Sequence, residues 1–87
     1  MTLVQQMRIR AVHARARAAA KDVRWCCPIH ARQTQFALRS LASAFAKATD
    51  EAGYLACLTE AISFAETLET LAILTHPAIN VKLVGRA

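Results

Sequence analysis

The chain reads as all-α, a small three-helix bundle, and three observations predict this. It has only two Gly and two Pro in 87 residues. Its apolar fraction of 55% rests heavily on alanine, the strongest helix former and a small contributor to burial. Breaks at Cys27-Pro28 and His76-Pro77, with a weaker one at Thr49-Asp50-Glu51 and Gly53, cut it into three helix-length segments and a short tail. The length fits one domain over residues 1–87 with a small core, so a homodimer or another partner is an expected source of extra burial.

The first helix is expected over Leu3–Trp25. Val4, Met7, Ala11, Ala14 and Ala18 recur at alternating three- and four-residue steps, a narrow apolar seam. Ile9, Val12, Ala16, Ala19 and Val23 form a second, weaker one. The second helix is expected over Ile29–Ala48, with Pro28 at or just before its first turn. Its apolar face is Thr34, Ala37, Leu38, Leu41, Ala44, Phe45 and Ala48. Phe36 projects instead from a polar face that includes Arg32, Arg39, Ser40, Ser43 and Lys47.

The third helix is expected over Asp50–Leu74, with Thr49 or Asp50 as N-cap and acids in the first turn, where the macrodipole favours them. Gly53 weakens that start, and the alternative makes it the residue that closes the second helix. Apolar residues cover half the circumference or more, which implies packing against both other helices or against a second subunit. The expected arrangement is an antiparallel hairpin of the second and third helices, with the basic first helix packed across it. The tail Ile79-Asn80-Val81-Lys82-Leu83 alternates like a strand and reads as an extended arm or as a strand that pairs with a partner.

Charge is split along the chain. Residues 1–32 carry seven basic side chains against Asp22 alone, whereas residues 50–75 carry Asp50, Glu51, Glu60, Glu66 and Glu69 and no Lys or Arg. Either the halves neutralise each other or the basic half meets an external polyanion. At 100° per residue, Arg10, Arg17, Lys21 and Arg24 share one arc about 20 Å long. Such an array can neutralise several phosphates and release counterions, and small neighbouring alanines allow close approach. No helix-turn-helix, zinc-finger or RNA-recognition signature accompanies it, so sequence-specific reading is not implied.

Phe36, set among Arg32, Arg39 and Lys47, suits base stacking or a protein interface. The expected function is therefore a non-enzymatic regulatory module that presents a basic helix to nucleic acid through Arg10, Arg17, Lys21, Arg24, Arg32, Phe36 and Arg39. The alternative is an adaptor or inhibitor that docks an acidic or apolar protein surface through the arginine and Phe36 patch and the apolar third helix.

Other chemistry is less well furnished. Cys26, Cys27 and His30 cluster at one break, with Cys57, His13 and His76 elsewhere, but there is no second ligand pair of the kind zinc sites use. The bland reading packs the thiols at a helix junction against Trp25. No cofactor motif, phosphate loop or nucleophile elbow occurs, and no enzyme, cofactor or metal is expected. Glu60, Glu66 and Glu69 interrupt the most apolar stretch, Ala52–Thr75, so a membrane span is not expected. Free thiols and the lack of a secretory signal suit the cytoplasm. Glu69 lies on the apolar arc of its helix, which calls for a partner arginine from the first helix, Arg8 or Arg15.

Overall fold

A computed structural model describes residues 2–76 and contains helices α1 (Leu3–Asp22), α2 (Pro28–Lys47) and α3 (Glu51–Leu74). It is the all-α three-helix bundle expected. The strand-like stretch Ile79–Leu83 lies outside the described residues.

Each helix start has a local cause. Thr2 opens α1 with a capping box: its hydroxyl accepts from the Gln5 N–H at 3.1 Å, and the Gln5 side-chain oxygen accepts from the Thr2 N–H at 2.9 Å. Pro28 occupies the first turn of α2, where a missing N–H costs nothing. Asp50 caps α3, accepting from the Gly53 N–H at 2.8 Å. A Cβ on Gly53 would sit 2.8 Å from that same Asp50 oxygen, so glycine leaves room for the cap to close. Gly53 thus belongs to the first turn of α3 rather than to the end of α2.

The first helix stops three residues earlier than expected. After Val23 the backbone is extended, and the Trp25 indole folds back to donate to the Ala20 carbonyl at 3.2 Å. Trp25 thereby satisfies an otherwise open carbonyl of the last turn. The Arg24 N–H donates to the Thr75 hydroxyl at 3.1 Å, tying the α1 end to the α3 end.

Two layers of core side chains fix the topology. In one, Ile9 meets Phe45, Tyr54, Leu58 and Ala61; in the other, Ala16, Ala19 and Ala20 meet Leu38, Ala65 and Leu68. Residue numbers rise together in α1 and α3 and fall in α2. Thus α1 and α3 run parallel, and α2 runs antiparallel to both. The antiparallel α2–α3 hairpin is therefore present as expected, and α1 packs on it mainly through α3. The reason is side-chain size: Ala16, Ala61 and Ala65 have no solvent exposure, and methyl groups on both sides let the backbones approach. The wide apolar arc of α3 is used against both neighbours.

One expectation about α1 is reversed. The weaker seam is the core seam, with Ile9, Ala16, Ala19 and Val23 buried and Val12 joining the two layers. The stronger seam, Val4, Met7, Ala11, Ala14 and Ala18, is exposed along its whole length. Among the described residues, no helix is long and apolar enough to cross a membrane.

Candidate nucleic-acid interface

The charged halves are joined by one ion pair among the described residues. Arg15 meets Glu69 in a bidentate contact, Nε to Oε2 at 2.7 Å and Nη2 to Oε1 at 2.6 Å. This is one of the two partners expected for Glu69. The hydrogen bond from Arg15 lowers the Glu69 carboxyl below its ordinary value, and the same bond raises Arg15. The pair lies on the α3 flank of α1 and stays accessible to water, with side chains 43% and 38% exposed.

The other flank of α1 faces α2. There Arg10, Arg17 and His13 line a groove of about 480 Å³ with Gln6, Ile9 and Ala14, opposite Ala42, Phe45, Ala46 and Ala48 of α2. His13 is half-buried and bolts the two helices together, with Nε2 at 2.9 Å from the Leu38 carbonyl oxygen. A carbonyl only accepts, so the ring carries its hydrogen on Nε2. Arg39 stands three and seven residues before Ala42 and Ala46 and shares their side of α2, and Arg32 is one heptad further back. Arg10, Arg17, Arg32 and Arg39 are exposed, and among the described residues none of them pairs with a carboxylate. The acids lie on α3 and its cap, apart from Asp22 at the end of α1.

The predicted seven-residue patch therefore divides. Arg10 and Arg17 line the α1–α2 groove, and helical spacing sets Arg39 and Arg32 on the side of α2 that carries Ala42 and Ala46. Lys21 and Arg24 line a depression at the far end with Asp22, with Ala72 and Ile73 of α3 and with His76 beyond it, and Arg24 lies past the end of α1, off the helical arc. Phe36 is 72% exposed and lines a different groove, between α2 and α3, with Ala37, Ser40, Glu60 and Phe64.

Two features went unread in the sequence. The capping box was legible as Thr2-Leu3-Val4-Gln5, whereas nothing beyond its place on the basic arc marked His13 as the inter-helix bolt.

At the junction, Cys26 is exposed, and half-buried Cys27 precedes α2 as its N-cap without a side-chain hydrogen bond. Cys57 packs beside the layer of Ile9 and Tyr54, far along the chain from both. Among the described residues, no group of three or more His, Cys, Asp or Glu is arranged to hold a metal ion. Comparison with known proteins finds no matching family, no similar curated protein and no similar solved structure, so the functional reading rests on these residues alone.

Proposed function

We propose that the protein is a non-enzymatic regulatory module that lays its α1–α2 face along a nucleic-acid backbone. The observation that carries this reading is the set of four exposed arginines, Arg10, Arg17, Arg32 and Arg39, none paired with a carboxylate among the described residues. Guanidinium groups in such a row neutralise successive phosphates and release counterions. The alanines in the groove leave space for a backbone to come close, and Lys21 and Arg24 add two cations at one end, beside Asp22.

The test is fluorescence anisotropy with a mixed-sequence DNA duplex and a single strand at about 50 mM salt, where phosphate contacts are strongest. Arg17→Glu is expected to weaken binding by about tenfold or more. Gln33→Glu, on α2 and absent from the groove lining, is expected to do less. Absence of binding at this salt, or equal losses from the two substitutions, would contradict the proposal.

A second reading, a protein adaptor or inhibitor, has separate support. Phe36 and Phe64 flank the α2–α3 groove, where a large exposed aromatic is a typical interface anchor. A homodimer through that face is its simplest form. Phe36→Ala would then abolish association without changing the salt-dependent binding of nucleic acid, and oligomeric mass would report it directly.

A further inference from the structure

Phosphate binding along the α1–α2 groove leaves the outward seam of α1 unexplained. Leu3, Val4 and Met7 are 69%, 67% and 60% exposed and adjoin one another over one helical turn. The line continues through Ala11, Ala14 and Ala18, all exposed. Its steps of three and four residues are the period of a helix that receives another helix, with these residues at the inward positions. A phosphate backbone requires no such stripe. The seam lies opposite the buried seam of Ile9 and Ala16, and among the described residues nothing covers it.

The borders of the stripe name its occupant. Arg8 and Arg15 stand along one edge and Arg10 and Arg17 along the other. Only Arg15 has a carboxylate partner among the described residues. A second copy of α1 is a poor occupant. Paired antiparallel, it sets Arg10 against Arg17. Paired parallel, it gains one Arg17–Asp22 contact but sets Arg10 against Arg15. We propose that the outward seam of α1 docks an amphipathic helix of another protein whose apolar stripe is bordered by Glu or Asp. The small alanines at Ala11, Ala14 and Ala18 let that helix lie close, while Leu3, Val4 and Met7 supply the apolar anchor. This inference goes beyond the nucleic-acid reading: its anchor, Leu3, Val4 and Met7, plays no part in that reading, although both surfaces share Arg10, Ala14 and Arg17.

The test uses the full chain and a synthetic helix of about three heptads with Leu at the inward positions and Glu at both borders, a pattern that repels its own copies. A peptide of the same composition with the heptad order scrambled is the control. The heptad probe is expected to bind at least about tenfold more tightly than the scrambled one. Replacing Val4 and Met7 together by Ser is expected to remove that advantage and to leave duplex DNA binding unchanged. Both positions are outside the core, so circular dichroism should show an intact bundle. Equal binding of the two peptides would overturn the proposal by showing attraction through charge alone. Sedimentation that finds a wild-type dimer and a monomeric Val4→Ser, Met7→Ser variant would overturn it in favour of a second copy. A loss of DNA binding in Arg39→Glu, which lies on α2 and does not border the seam, with the heptad probe still bound, would separate this inference from the nucleic-acid reading.

Discussion

The two seams of α1 share a helix, a spacing and a richness in alanine, yet one is core and the other faces water. The buried line of Ile9, Val12, Ala16, Ala19 and Val23 has no charged residue at its centre and meets Leu38, Leu58 and Leu68. The exposed line of Val4, Met7, Ala11, Ala14 and Ala18 has arginine on both sides at every turn from Arg8 to Arg17. A seam bordered by cations cannot be enclosed without burying those charges, which costs far more than a few methyl groups return. Periodicity therefore finds stripes, and the residues beside a stripe decide whether it turns inward.

The sharpest way to break this comparison is to place one charge on each seam. Ala16→Glu puts a carboxylate at a site with no solvent exposure, pressed against Ala65. It is expected to abolish cooperative thermal unfolding, since an unpaired buried charge costs several kcal/mol in a domain of only about 5 kcal/mol total stability. Ala14→Glu, two positions away on the exposed seam, is expected to change stability by less than about 0.5 kcal/mol in urea titrations. Similar losses from both variants would mean the seams are assigned wrongly.

A smaller effect sharpens the buried side. Tyr54 is 3% exposed, and its hydroxyl has no hydrogen-bond partner among the described residues. Removing an unsatisfied buried group relieves its desolvation, so Tyr54→Phe is expected to raise unfolding stability by about 1 kcal/mol. A clear loss would reveal a partner for the hydroxyl.

The smallest effect tests the border between the faces. Arg15 holds the Glu69 carboxyl below the ordinary value of 4.5. A lowered acid stabilises the fold when ionised, so the wild-type advantage over Glu69→Gln is full at neutral pH. It should shrink as pH falls below about 5 and vanish once the folded carboxyl is protonated. An advantage that persists at the acid end would mean the pair contributes through packing rather than charge.

Much of this was legible in the residues. Proline at Pro28, Asp50 before an acidic first turn and the helical spacing of Leu38, Leu41 and Phe45 name the elements and their ends to within a few residues. Trp25 could not be placed that way, because the carbonyl it reaches on Ala20 becomes available only when the chain turns. The parallel α1–α3 contact was hidden for a similar reason: alanines carry little hydrophobic signal, although Ala16, Ala61 and Ala65 set the closest approach in the bundle. The candidate interface was legible as charge but not as geometry. Arg10 and Arg17 shared an arc in the sequence, whereas the α2 residues that face them across the groove, Ala42, Phe45, Ala46 and Ala48, were set only by the packing of the two helices. Phe36 left the patch because its position on α2 turns it toward Phe64.

The most direct measurement is the salt dependence of duplex DNA binding between about 50 and 200 mM, for wild type and for single alanine replacements of Arg10, Arg17, Arg32 and Arg39. These four arginines on phosphate predict a slope of log affinity against log salt of about −3.6, reduced by about 0.9 in each variant. A wild-type slope near zero, or slopes that none of the four replacements changes, would contradict a phosphate-binding α1–α2 face.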